Sequence, residues 1–170
     1  MEIWDLYTED RICTGLEHIR GQELPDGLYH LVVHVWIRNP QGKYLISQRA
    51  ASRPTHPLMW ECVGGSVLKG ESSLQGALRE AQEEVGAQLL PHRGRVVFSR
   101  LRKTINGKKA NDIMDVWLFE HDGEISLAQA TTDEVAQSRW MDAREIRALY
   151  DAGKLVHTLS YFFTEVEREN

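Results

Sequence analysis

The sequence predicts an α+β fold, with a mixed β-sheet packed between helices in an α/β/α sandwich. Segments rich in β-branched and aromatic residues recur along the chain and outnumber the helical patterns. A strong amphipathic pattern over 72–85 sits mid-chain, just after a glycine-rich turn. Further helical patterns lie over about 142–167. Strands that outnumber helices, with helices placed between and after them, bury their apolar faces most simply as a covered sheet.

The elements follow in order. Residues 1–27 read as a small N-terminal hairpin with a turn at Thr14–Gly15, then a polar connector holding Gly21, Pro25 and Gly27. "LYHLVVHVWIR" is a strand over 28–38, "NPQG" a turn, and "KYLISQR" a second strand, so that 28–49 reads as a hairpin. The stretch 51–59 contains two prolines and reads as a loop, and "WECVGG" is a short strand ending in glycines. In the helix over 72–85, Leu74, Ala77, Leu78, Ala81 and Val85 form an apolar stripe; Ser72 or Ser73 caps it and Gly86 ends it. Two strands follow, over 95–105 and from Ile113, joined through a turn at Asn106–Gly107. A short strand surrounds Trp140, Asp142 caps a helix to Tyr150, and Leu155, Leu159, Phe162 and Val166 mark a terminal helix.

With 170 residues, 42% hydrophobic and 26% charged, the chain suits one globular domain with a substantial core. A net charge of −5 argues against a broad basic surface, so no nucleic-acid partner is expected. The one basic cluster, 100–109, reads as a solvated turn. Cys13 and Cys62 make neither a disulfide framework nor a metal spacing. The first residues lack a basic start and an apolar run, and no segment is apolar enough to span a bilayer. The expectation is a cytoplasmic protein without a membrane partner.

The chemistry concentrates in "GSVLKGESSLQGALREAQEEVGA", residues 65–87. Helical periodicity gathers Glu80, Glu83 and Glu84 on the side away from the apolar stripe. A solvated acidic face explains charge spacing alone. These carboxylates, however, stand in the middle and late turns, where the helix dipole disfavours anions. A divalent cation that prefers oxygen ligands, Mg2+ or Mn2+, removes that penalty.

The spacing of Gly65, Glu71, Arg79, Glu80, Glu83, Glu84 and Gly86 resembles the Nudix hydrolase signature at each of its charged and glycine positions. The resemblance implies the Nudix fold and metal-dependent hydrolysis of a nucleoside diphosphate linked to another group, a small-molecule substrate. It implies Glu80, Glu83, Glu84 and the carbonyl of Gly65 as metal ligands, with Glu80 alternatively positioning or deprotonating water. By the same resemblance Arg79 orients a helix carboxylate, chiefly Glu83, and Glu71 fixes the loop to the helix. Ala81 and Ala87 stand where the family usually carries bulkier aliphatics.

Outside the box, the resemblance implies a further carboxylate: Glu134 lies six residues before Trp140, a spacing that resembles related nucleotide pyrophosphatases, and is the favoured general base or extra ligand; Asp133 and Glu120 are weaker candidates. By the same resemblance Arg49, at the end of the second strand, is a candidate phosphate contact, with Arg53 read as a loop residue. Trp60 and His30 are candidate substrate contacts, and His34 a packing residue. The N-terminal half also resembles isopentenyl-diphosphate isomerases, a branch of the same fold that uses a cysteine and a glutamate; His30 matches one of that branch's metal histidines. Its cysteine–glycine–histidine run is replaced here by "VGGSV", and a second metal histidine has no match. The overall likeness is to a bacterial subgroup with an isomerase-like front and a hydrolase box. An isomerase-like enzyme and a non-catalytic nucleotide-binding protein are the alternatives. Helical 142–166 and the early hairpin offer a homodimer face.

Overall fold

The structure is a computed structural model that describes residues 1–169. Strands β1 (Ile3–Tyr7) and β2 (Cys13–Ile19) pair antiparallel as a separate ribbon. A seven-stranded mixed sheet contains β3 (His30–Arg38), β4 (Tyr44–Arg49), β5 (Trp60–Glu61), β6 (Val63–Ser66), β7 (Gly94–Ile105), β8 (Lys108–Glu120) and β9 (Val135–Met141). Helix α1 spans Ser73–Val85 and α2 spans Ala143–Asp151.

β3 organises the sheet. It runs parallel to β8 from His30↔Asp112 to Arg38↔Glu120, and antiparallel to β6 from Val32↔Ser66 to Val35↔Val63. The predicted 28–49 hairpin is present but short: β3 and β4 pair antiparallel across the turn at 39–43 and share one register pair, Arg38↔Tyr44. Beyond it β6 takes the place beside β3, and β4 pairs with β5 and β9.

The two faces carry separate apolar clusters. One holds Val33, Val35 and Ile37 of β3 against Ala77, Ala81 and Val85 of α1. The other packs Trp36, Tyr44 and Val116 against Ile146 of α2 and the C-terminal segment. Small residues on α1 and just past its cap explain the departures at positions 81 and 87: Ala77, Ala81 and Ala87 are fully buried, and a Cβ on Gly76 would stand 2.9 Å from Val67. Close approach of helix to sheet leaves no volume there for a larger aliphatic. Ser72 caps α1 in a reciprocal capping box with Gln75, and Gly86 ends it at φ 70°.

Two predictions are corrected. The N-terminal turn falls at 8–12, where Thr8 N–H donates to the Ile12 carbonyl at 2.9 Å; Thr14–Gly15 lies inside β2. Among the described residues the terminal segment forms no α-helix: 157–163 and 167–169 are short 3-10 turns. Trp60 explains this. Its N–H donates to the Lys154 carbonyl at 2.8 Å and its carbonyl accepts from Val156 N–H at 2.9 Å. The chain enters the segment extended, and Tyr161, Phe162 and Phe163 then pack as an aromatic cluster rather than along a helical stripe.

Candidate active site

The site is assembled where β6 hands over to α1. Glu71 braces the turn between them, accepting from Leu68 N–H at 2.9 Å and from Arg79 Nε at 2.8 Å. Burial alone would push the Glu71 carboxyl up; the Arg79 and Leu68 hydrogen bonds outweigh it and hold the group below its ordinary value. Arg79 also donates from Nη1 to Glu80 at 2.8 Å and to Glu83 at 3.0 Å, and from Nη2 to the Ser66 carbonyl at 2.8 Å. Its planar fork is fully engaged in tying helix, loop and carboxylates together.

Glu80 lies against the backbone of Gly65, where an added Cβ would stand 2.2 Å from Glu80 Oε1. Glu84 is 6% exposed and accepts one long hydrogen bond, 3.4 Å from Gly64 N–H. Among the described residues it has no ion-pair partner. Burial drives its carboxyl well above the ordinary value, and the nearby charges of Glu61, Glu80 and Glu134 add to the shift. Glu80 is also pushed up by burial, against the pull of Arg79.

These groups line a cleft of about 220 Å³ with Glu83, Gly64, Gly65, Arg53 and Glu134. Glu134 arrives from far along the chain. Thr131 and Thr132 N–H both donate to the Glu83 carbonyl at the end of α1, at 3.0 and 3.1 Å. The Glu134 carbonyl accepts from Ala50 N–H at 2.8 Å. Its carboxylate is 2.7 Å from Arg53 Nη1, while Arg53 Nε is buried without a partner among the described residues.

The structure thus brings together Gly65, Arg79, Glu80, Glu83, Glu84 and Glu134. It does not bring Arg49, Trp60 or His30 to this cleft. Arg49 is held by Glu61 at 2.6 Å and the Thr55 carbonyl at 2.8 Å. Trp60 is a core residue, 7% exposed, with the Arg139 guanidinium 5.6 Å from its ring. His30 is buried and stacked on Trp4 at 4.0 Å. His34 Nδ1 is 2.7 Å from the Tyr161 hydroxyl, and Glu120 pairs with Arg38 at 2.5 Å. In the basic cluster, Arg102 meets Asp112 at 2.6 Å, Lys103 meets Glu9 at 3.1 Å and Lys109 meets Asp26 at 2.7 Å. Asp133 is not on the cleft wall. Arg53, Glu61, Arg20 and Glu2 are among the site-region residues that sequence reasoning missed; no local pattern marks them.

Among the described residues, no group of three His, Cys, Asp or Glu side chains stands arranged around a metal position. Arg79 supplies a physical reason, since it draws Glu80 and Glu83 towards itself. The donor chemistry nevertheless fits a hard divalent cation: several carboxylates, one buried without a positive partner, beside a glycine backbone.

Fold and cleft together define a sheet-and-helix protein whose carboxylates converge at a loop–helix junction. The chain belongs to the Nudix hydrolase family: the NUDIX domain matches residues 28–162. It is a Nudix pyrophosphohydrolase, of the class whose defining reaction is hydrolysis of a diphosphate linkage. It is 38% identical to an uncharacterized Nudix hydrolase of Listeria monocytogenes, over 96% of this chain and 91% of that protein. It is 30% identical to an isopentenyl-diphosphate Delta-isomerase of Escherichia coli, over 83% of this chain and 77% of that protein. The solved structure of DR0079 from Deinococcus radiodurans shares the fold, with a TM-score of 0.69 and 23% identity over 91% of each chain. A Francisella tularensis NMN adenylyltransferase/ADP ribose pyrophosphatase, solved with AMP and a manganese ion, also shares it, with a TM-score of 0.55 and 20% identity over 75% of this chain and 37% of that one. No helix among the described residues is long and apolar enough to cross a membrane.

Proposed function

We propose that the protein hydrolyses the diphosphate bond of a nucleoside diphosphate linked to another group, with water attacking phosphorus and Mg2+ or Mn2+ as cofactor. The observation that carries this reading is Glu84, a buried carboxylate with no basic partner among the described residues, on the same helix face as Glu80 and Glu83. Such an arrangement is unfavourable in isolation and is relieved by a bound cation. Glu80, Glu83, Glu84 and the Gly65 carbonyl would hold the ion. When bound, it neutralises phosphate charge and acidifies water.

The chain's own residues do the rest. Glu134, on the cleft wall, takes the proton from water as general base. Arg79 positions Glu80 and Glu83 and does not touch substrate, because its donors are occupied. Arg53, on the cleft wall beside Glu134, contacts a phosphate oxygen with its guanidinium. The substrate is a small molecule met in the cytoplasm.

The likeness to the Escherichia coli isopentenyl-diphosphate Delta-isomerase favours a second reading, alkene isomerisation on a diphosphate. Against it, Cys62 is buried in the apolar core with its thiol pushed up by burial, on a smaller neighbouring cavity rather than on the carboxylate cleft. The deciding experiment is a hydrolysis screen of nucleoside diphosphate and triphosphate compounds with Mg2+ or Mn2+, beside Glu83→Gln. Turnover by the wild type and its loss in a folded Glu83→Gln protein is the expected result. No turnover across the panel, with a positive alkene isomerisation assay, reverses the assignment.

A further inference from the structure

The N-terminal hairpin is built into the rim of the cleft. Trp4 and Leu6 of β1 are buried at 8% and 2% exposure, and Arg11 near the turn pairs with buried Asp115 of β8. The hairpin also grips the loop before α1. Lys69 N–H donates to the Ile3 carbonyl at 2.8 Å, and Gly70 N–H to the Asp5 carboxylate at 2.7 Å. Its open end is therefore fixed in place. There Arg20 N–H donates to the Glu2 carbonyl at 3.0 Å, and both side chains line the carboxylate cleft. Both residues lie outside the matched NUDIX domain, which begins at residue 28.

Three arginines line this cleft, and they differ in what they have left to donate. Arg79 is fully engaged, and Arg53 holds Glu134 at 2.7 Å. Arg20 spends one N–H, from Nη1 to Glu2 at 2.7 Å; its Nε and Nη2 have no partner among the described residues. The Arg20 and Glu2 side chains are 55% and 40% exposed. An ion pair so open to water is weak and easily exchanged. A phosphoryl group offers the guanidinium a better, two-pronged acceptor.

We propose that Arg20 is a substrate-binding residue of this cleft: it leaves Glu2 to hold a phosphoryl oxygen of the polyphosphate, and Glu2 is its resting counter-ion. The inference rests on the reading above that the cleft takes a polyphosphate, and it makes the hairpin a working part of the site. The exchange breaks and forms only ionic hydrogen bonds, with the Glu2 carboxylate turning to solvent.

The test is equilibrium binding of inorganic pyrophosphate and of tripolyphosphate to the full chain by calorimetry, in calcium to hold turnover down. Wild type, Arg20→Ala, Arg20→Lys and Glu2→Gln are compared, each with a thermal melt. Arg20→Ala is expected to weaken binding about tenfold, with Arg20→Lys in between. Glu2→Gln, which frees Arg20, is expected to tighten it. Opposite signs for the two ends of one ion pair are not produced by a merely structural contact, whose loss weakens binding and lowers the melt in both. Loss on both probes assigns Arg20 to the scissile phosphates, and loss on tripolyphosphate alone to a phosphate beyond them. Unchanged affinity in Arg20→Ala, weakening in Glu2→Gln, or no binding by the wild type overturns the proposal. None of these results alters the turnover comparison with Glu83→Gln.

Discussion

Glu84→Gln is expected to make the metal-free protein more stable and the enzyme inactive. The wild-type carboxylate is 6% exposed and faces Glu61, Glu80 and Glu134, with one 3.4 Å hydrogen bond from Gly64 N–H. Glutamine keeps that acceptor and removes the charge. Leaving a charge buried and uncompensated costs several kcal/mol in a closed interior; one side here opens on the cleft, so a gain of about 2 kcal/mol is the working figure. For a chain of this size that raises the melting temperature by about 4–8 °C. The pH sign follows from linkage. A carboxyl whose folded pKa is raised loses stability as pH climbs above its unfolded value, so the advantage of glutamine grows from pH 5 to pH 8. The assay is a thermal melt in EDTA and in Mg2+ at both pH values. Mg2+ should raise the wild-type melt by mass action and leave the variant nearly unmoved. A variant that melts below wild type in EDTA, or that gains equally from Mg2+, refutes the reasoning.

Gly65→Ala places a methyl 2.2 Å from Glu80 Oε1 and displaces that carboxylate, so kcat should fall about tenfold or more with a small change in melting; steady-state kinetics beside a melt checks it, and unchanged kcat counts against Glu80 acting at this spot. Burial lowers His30 to about 4 and His34 to about 3, so both stay neutral in the fold while the unfolded chain protonates near 6.5. Stability should therefore be lost as pH falls below about 6.5, with His30 contributing about 3 kcal/mol over its window. Urea unfolding at pH 7, 6 and 5 should show this loss, shallower in His30→Phe, and an equal slope in that variant would exclude His30 as a source.

What could be read from the sequence is what one helix decides by itself. Ser72, Gly86, the buried stripe and the common side of Glu80, Glu83 and Glu84 follow from helical period and capping, and the structure has all of them. Glu134 was reached through the likeness of its offset from Trp140 to that of related enzymes, and it lies on the cleft wall. Arg49 and Arg53 show where such reading stops. They are four residues apart, and the loop between β4 and β5 decides between them. That loop turns through His56 at φ 50° and Leu58 at φ 62°, conformations that neither residue type announces. It leaves Arg49 on Glu61 and carries Arg53 to Glu134. The terminal segment fails differently. Leu155, Leu159, Phe162 and Val166 are all buried as their stripe requires, yet the backbone is extended and then 3-10, because Trp60 captures 154–156.

The same division separates the two halves of the proposed chemistry. The groups that would hold the cation are neighbours along one helix and one turn, so their spacing is written in a single short stretch. The groups that would meet the rest of the substrate come from three distant places: Arg20 beside β2, Arg53 after β4 and Glu134 before β9. Their meeting depends on strand pairings and loop contacts with no local pattern. A family signature therefore identifies the bond that is broken more readily than the molecule that carries it. For this chain, the hairpin that precedes the matched domain is the place where that second question becomes an experiment.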